Sequence, residues 1–196
     1  MINILTRTSN RPKYFRDCIK SLESQTYKDW RLIISADDDF TQNYVNEYDY
    51  GHLYINIKGE KGAYPFNRYF NIMQNYIKEG WIIYYDDDVI FKKPESLEII
   101  ADHCKDEDTL VFWKYEFRDG RILPDAGYWK KYPQRKHIDS GCFAHHCKYR
   151  TQWNDARASD SMVVQQLYKQ IPNKIWINDI LIFAQTVGGG LRKDKK

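Results

Sequence analysis

The 196-residue chain contains no apolar run near the roughly 20 residues that a membrane-spanning helix needs, so no membrane span is expected. Its start is broken by Asn3, Arg7, Asn10 and Arg11, so no signal peptide is expected either. The four cysteines, Cys18, Cys104, Cys142 and Cys147, include no CxxC pair. His145 and His146 fall between Cys142 and Cys147, but the second ligand pair of a structural zinc site is missing. Reduced thiols in a cytoplasmic setting follow, with Cys18 and Cys104 expected to be buried on helices. Charge of one sign is also lacking. The net charge is +3, and the last six residues carry four positive charges and one negative, so the rest of the chain is neutral. A basic nucleic-acid-binding surface is therefore not expected, and nucleic acid is left out as a partner. Neither a Gly-rich dinucleotide fingerprint after the first strand nor a P-loop occurs. There is no internal repeat and no linker composition, which leaves one domain large enough to bury a core.

What is present centres on Trp81-Ile82-Ile83-Tyr84-Tyr85-Asp86-Asp87-Asp88-Val89-Ile90-Phe91. Five bulky residues run into three carboxylates, and three apolar residues follow. The first run predicts a strand buried on both faces. Adjacent buried carboxylates repel one another and resist desolvation unless a cation is at hand. Asp86 and Asp88 share one side of an extended backbone, and Asp87 faces the other. Two oxygen donors on one side suit Mn²⁺ or Mg²⁺, which keep positions open for phosphate oxygens. The alternative is a solvated acidic turn at a strand end.

Taken in order, the chain predicts a strand at Ile2–Leu5 and a helix with Phe15, Cys18, Ile19 and Leu22 on its apolar face. A second strand, Trp30–Ala36, also ends in acid, at Asp37-Asp38-Asp39. In a parallel sheet, ligands bind outside the carboxyl ends of strands, so both triplets are expected at one crevice. Tyr54–Ile57 predicts a weaker strand, and Gly59 and Gly62 a loop. Phe66, Tyr69, Phe70, Met73, Tyr76 and Ile77 trace a helix closed by Gly80. Pro94 opens a helix carrying Leu97, Ile100, Ala101 and Cys104. Thr109–Phe117 and Arg121–Leu123 predict a hairpin about Asp119-Gly120. Residues 124–135 read as loop-like, and 137–147 mix His, Asp, Ser, Gly and Cys around Phe143. Val163, Val164, Leu167 and Ile171 predict a helix with Ser159 as N-cap. Ile175–Ala184 holds one or two short strands, and Gly188-Gly189-Gly190 with the basic end is expected to be mobile without ligand. Strands alternating with helices imply an α/β layered sheet.

Together these residues resemble a nucleotide-sugar glycosyltransferase with the GT-A fold, of the type grouped in family 2. The resemblance runs through Ile4-Leu5-Thr6-Arg7-Thr8-Ser9-Asn10-Arg11-Pro12, through Gln25-Thr26-Tyr27-Lys28-Asp29-Trp30 into the second strand, and through Asn71–Gly80 into the Asp86-Asp87-Asp88 motif. It implies a single α/β domain over residues 1–190, with a Rossmann-like, mixed but mostly parallel sheet flanked by helices and a small hairpin subregion. Residues 1–105 would hold the nucleotide sugar, 106–190 the acceptor, and 191–196 would form a basic tail. The donor would contact Thr6, Arg7, Arg11, Asp37 or Asp38, Asn71, Asp86 and Asp87, with the metal on Asp86 and Asp88.

The resemblance further implies a carboxylate base at the start of the helix after the acceptor loop, here Asp160, with Asp155 as the second choice. Asp160 also suits a helix first turn for dipole reasons alone. Asp139, in His137-Ile138-Asp139-Ser140-Gly141, and Trp129 are implied contacts for acceptor or sugar. Trp113 and Trp153 are further stacking candidates, and His145 or His146 could add a third metal ligand. The implied reaction moves one sugar from a nucleoside-diphosphate sugar, a uridine-diphosphate sugar in the first instance, to a glycan, protein or small-molecule acceptor with inversion. The Gln-x-x-Arg-Trp signature of processive synthases is absent. A nucleotidyltransferase and a catalytically inactive sugar- or nucleotide-binding module are the alternatives.

Overall fold

Every side chain of the first strand, β1 (Ile2–Thr8), is buried except that of Arg7, which is half-buried. This strand is the axis of the sheet in the computed structural model, which describes residues 1–48, 53–56, 64 and 66–187. β1 pairs in parallel with β2 (Trp30–Ala36) on one side and β4 (Trp81–Tyr84) on the other, so that Leu5 lies between Ile33 and Tyr84. β3 (Leu53–Asn56) extends the parallel part beyond β2. Gly59, Gly62, Ile57, Gly188–Gly190 and the basic end lie outside the described residues.

The other side of β4 changes direction. β8 (Phe143–His146) runs antiparallel to β4, and β6 (Thr109–Phe117) antiparallel to β8. β9 (Asn173–Ala184) returns parallel to β6, and β5 (Val89–Phe91) closes the far edge antiparallel to β9. β7 (Ile122–Leu123) pairs with β6 as a hairpin about Gly120, whose φ of +83° fits glycine. The order is β3-β2-β1-β4-β8-β6-β9-β5, a mixed sheet. Helices flank it: α1 (Pro12–Glu23) packs on β5, α2 (Asp39–Val45) on β2, α3 (Phe66–Gln74) on β1 and β2, and α4 (Ser96–His103) on β9, with α5 (Ser159–Gln170) completing the set. The α1 face Phe15, Cys18, Ile19 and Leu22 is buried as its spacing predicts. Each large apolar side chain so buried contributes about 1.5–3 kcal/mol.

Several local expectations are corrected. No element is read from the sequence for residues 137–147. They form a 3-10 turn (Ser140–Cys142) and β8, whose burial against β4 outweighs its weak strand pattern. Val89–Phe91 is a separate strand, and Ile175–Ala184 belongs to one 12-residue strand with a register shift against β6 near Lys114. α2 was not anticipated: Asp38 caps it by accepting from the Thr41 N–H at 2.7 Å. α3 ends at Gln74, so Gly80 is no helix terminus. It turns the chain into β4 at φ +82°, where a Cβ would lie 2.6 Å from the Met1 carbonyl oxygen. Ser159 is not the N-cap of α5. Ala158 is, in the left-handed region at φ 63°, ψ 36°. Cys104 is half-buried at the end of α4 rather than buried within it. Among the described residues no helix is long and apolar enough to cross a membrane.

Candidate active site

Parallel pairing brings the carboxyl ends of β1, β2 and β4 to one edge, and a cleft of about 650 Å³ opens there. Arg7, Asp37, Asp86 and Asp88 line one part of it, and Asp139 and Asp160 another. The expectation that both acidic triplets meet at one crevice is thus met by Asp37, Asp86 and Asp88.

Two arginines organise the aspartates. The Arg7 guanidinium makes a two-point contact with Asp86, Nε to Oδ1 at 2.8 Å and Nη2 to Oδ2 at 2.6 Å. Its flat face lies 3.9 Å from the centroid of Phe70, a cation–π contact that fixes the fork. Arg11, just before α1, reaches Asp87 through Nη2 and through Nε at 3.2 Å, and Asp88 through Nη1 at 2.9 Å. Asp87 is fully buried and also accepts from the Thr8 hydroxyl at 2.7 Å. Burial pushes the Asp87 carboxyl up, and Arg11 and Thr8 pull it back. Burial disfavours the Arg11 charge, but Asp87, Asp88 and Asp86 outweigh it and hold Arg11 above its ordinary value. Asp88 is tied down by the end of β9. The Gln185 N–H donates to the Asp88 carbonyl at 2.8 Å, and the Thr186 hydroxyl to its carboxylate at 3.1 Å.

In the same cleft, Asp139 sits before the 3-10 turn and accepts from the Gly141 N–H at 3.2 Å. Gly141 is held against the Tyr115 ring, so tightly that a Cβ there would lie 2.7 Å from it. Asp160 stands in the first turn of α5. Burial pushes Asp139 up to about 7, and the like charge of Asp160 adds to it. Burial pushes Asp160 up to about 6, while the Ser161 N–H and Arg7 draw it down. Two carboxyls titrating near neutrality on one wall can take and hold a proton.

Other candidates are placed elsewhere. Asp38 spends one oxygen on Thr41 and the other on Asn10, whose amide donates at 2.8 Å, so it is a helix cap. The Thr6 hydroxyl is buried and donates to the Tyr85 carbonyl at 2.7 Å. Asn71 clasps the Trp153 backbone through both ends of its amide, each at 2.8 Å. Trp129 packs against Trp176, centroids 5.1 Å apart, under Lys114, and does not line the cleft. Asp155 is held by Arg68 and the Tyr64 N–H. Trp113 is core, whereas Trp153 lines the cleft beside Phe70. His145 is buried off the cleft, with Nε2 3.0 Å from the Tyr84 hydroxyl and Nδ1 3.1 Å from the His146 carbonyl, so both ring nitrogens already have partners; burial lowers it to about 4. His146 faces Glu107 at 3.6 Å. Asn67, Tyr115 and Thr186 were missed. Asn67 alone had a signal, in the polar stripe Asn67, Asn71, Gln74 along α3.

Asp86 and Asp88 face the cleft while Asp87 does not. Two carboxylates turned to one side suit a hard divalent cation that takes its remaining ligands from phosphate and water. Among the described residues no three His, Cys, Asp or Glu side chains gather into a cage that could hold a metal unaided. The donor set therefore fits a cation shared with a bound diphosphate, with Arg7 and Arg11 as its competitors.

A mixed sheet in this order, with an aspartate triplet at the carboxyl ends of its parallel strands, defines a GT-A fold. Solved structures agree. The 1-349 form of S. aureus TarS superimposes with a TM-score of 0.73 at 15% identity, covering 93% of this chain and 60% of that one. The same protein in complex with UDP-GlcNAc gives 0.73 at 15% identity, with 100% and 61% covered. The mannosyltransferase PcManGT from Pyrobaculum calidifontis, in complex with GDP-Man and Mn²⁺, gives 0.74 at 13% identity, with 96% and 58% covered. The chain thus spans about 60% of the length of the TarS structure. The family profile of glycosyl transferase family 2 matches residues 4–157, and the chain belongs to that family. A search of curated proteins finds no match.

Proposed function

We propose that the chain transfers a single sugar from a nucleoside-diphosphate sugar to an acceptor hydroxyl, with inversion at the anomeric carbon. The observation that carries this reading is one cleft lined by Arg7, Arg11, Asp86 and Asp88 together with the near-neutral pair Asp139 and Asp160. Residues 1–105 hold the donor, and 106–190 contribute the acceptor side. Asp86 and Asp88 would hold a Mn²⁺ or Mg²⁺ ion, which would offset charge on the diphosphate leaving group. Arg11 and Arg7 offer guanidinium donors to the same phosphates. Asp160 takes the acceptor proton, since a carboxylate near 6 is ionised at neutral pH yet basic enough to accept one. Asp139 orients acceptor or donor sugar. A uridine-diphosphate sugar is the first donor to try, because a fold neighbour was solved with UDP-GlcNAc, and a guanosine-diphosphate sugar the second. The four free cysteines favour the cytoplasm as the place of action.

A donor panel with Mn²⁺, scored for transfer and hydrolysis, tests this reading. One uridine- or guanosine-diphosphate sugar is expected to turn over, and chelation of the metal to stop it. Asp88→Asn should abolish turnover and metal-dependent nucleotide binding while leaving the circular dichroism spectrum unchanged. A fully active Asp88→Asn protein, or a product of retained configuration, would sink the assignment of these roles.

A further inference from the structure

Helix α3 presents three amide side chains, Asn67, Asn71 and Gln74, to the segment that leads into α5. Asn67 Nδ2 donates to the carbonyls of Asn154 and Ala156, at 3.0 and 2.9 Å. Asn71 holds Trp153, and the Gln74 carbonyl oxygen accepts from the Thr151 N–H at 3.2 Å. Asn67 differs from the other two in what lies behind it. Its Oδ1 accepts from Arg7 Nη1 at 3.2 Å, and the remaining Arg7 nitrogens hold Asp86. An unbroken chain of hydrogen bonds therefore runs from Asp86 through Arg7 and Asn67 to the backbone at 154–156. Four residues past Ala156 stands Asp160. Between them Ala158 occupies the left-handed region that non-glycine residues rarely adopt, and the Asn154 N–H donates to the Ser159 hydroxyl at 2.9 Å. The segment is held in a costly conformation by contacts from α3.

We propose that Asn67 is a positioning residue that couples occupancy of the donor wall to the placement of Asp160. The inference rests on the transferase reading above. Its physical basis is the planarity of the carboxamide: Oδ1 and Nδ2 turn as one body. A diphosphate that draws Arg7, or a cation that displaces it from Asp86, shifts the group bonded to Oδ1. The two bonds from Nδ2 then shift with it. Asn67 is buried, so water does not replace a lost partner at low cost. Asn71 and Gln74 hold the same segment without a bond to Arg7.

Hydrogen exchange of the backbone amides of 154–161, with and without uridine diphosphate and Mn²⁺, tests the coupling. In the natural protein, nucleotide should slow exchange there by at least about fivefold, within the range of ordinary coupling between sites. Asn67→Ala should bind nucleotide with a Kd within about threefold, yet show no such slowing. Its kcat should fall roughly tenfold or more with the donor KM little changed, the pattern of a misplaced group rather than lost binding. Asn71→Ala should keep the nucleotide response. Should Asn67→Ala fail to fold, Asn67→Asp retains an oxygen for Arg7, loses both donations and should behave alike. Slowing in the Asn67 variants equal to that of the natural protein overturns the proposal, as does nucleotide binding to the natural protein with no change at 154–161. If neither uridine nor guanosine diphosphate binds the natural protein, the transferase reading falls and the coupling falls with it.

Discussion

In the proposed roles, Asp139 and Asp160 would set the pH behaviour of the cleft, in opposite senses for activity and for stability. With Asp160 raised to about 6, kcat/KM should climb as pH rises through that value, because the base must be ionised. Asp160→Asn should lower kcat by about 10²–10⁴, measured at saturating donor and acceptor. Asp139→Asn should leave that inflection near 6, since Asp139 still carries its proton when Asp160 titrates. Stability runs the other way. Asp139 holds its proton up to about 7 when folded but loses it near 3.8 when unfolded. Below both values there is no penalty; between them the unfolded state binds fewer protons, so stability falls as pH rises, and the loss is complete above about 7. Asp139→Asn should therefore stabilise the protein by roughly 1–2 kcal/mol at pH 8 in urea unfolding, a gain that shrinks toward pH 4. Of these residue roles, the facing of Asp86 and Asp88 was anticipated from alternation along an extended chain, but the structure reaches it through a turn in which the Val89 N–H donates to the Asp86 carbonyl at 3.2 Å. The capture of Asp38 by Thr41 and of Asn71 by Trp153 was not legible in the sequence. Those depend on a helix with a weak pattern and on a segment 82 residues distant.

At the scale of elements, the strands with continuous apolar runs and the helices with a clean period were readable, β2 and α1 being the plainest. β8 and β5 were hidden, since Phe143-Ala144-His145-His146 and Val89-Ile90-Phe91 become strands through their neighbours rather than their own pattern. His145 shows why composition misleads here: a residue of the surface class is buried because Tyr84 supplies its partner. The 3-10 turn that presents Asp139 was equally unreadable, yet it is among the most constrained parts of the molecule. Gly141→Ala must push either the Tyr115 ring or the turn. It should lower kcat by roughly tenfold or more and cost about 1–3 kcal/mol of stability, as overpacking does. An active and equally stable Gly141→Ala protein would show that the turn is free to adjust.

For the molecule as a whole, the sheet runs from early strands, β3-β2-β1-β4, to late ones, β8-β6-β9, and ends on an early one, β5. β5, which directly follows the aspartate triplet, pairs with β9 instead of with any of its sequence neighbours. The clasp on Asp88 by Thr186 spans 98 positions of sequence. Thr186→Val should lower stability by about 1–2 kcal/mol in urea unfolding, the scale of a hydrogen bond to a charged group, without altering the slope of the transition. That clasp also carries a consequence in time. A chain growing from its amino end at about 5–20 residues per second adds Thr186 roughly 5–20 s after Asp88. Until then Asp88 lacks its Thr186 clasp and β5 its β9 partner. Both arginines precede the triplet in the chain, so Arg7 and Arg11 are already made when it emerges, whereas Thr186 is not. Their ion pairs with Asp86, Asp87 and Asp88 therefore need no later part of the chain.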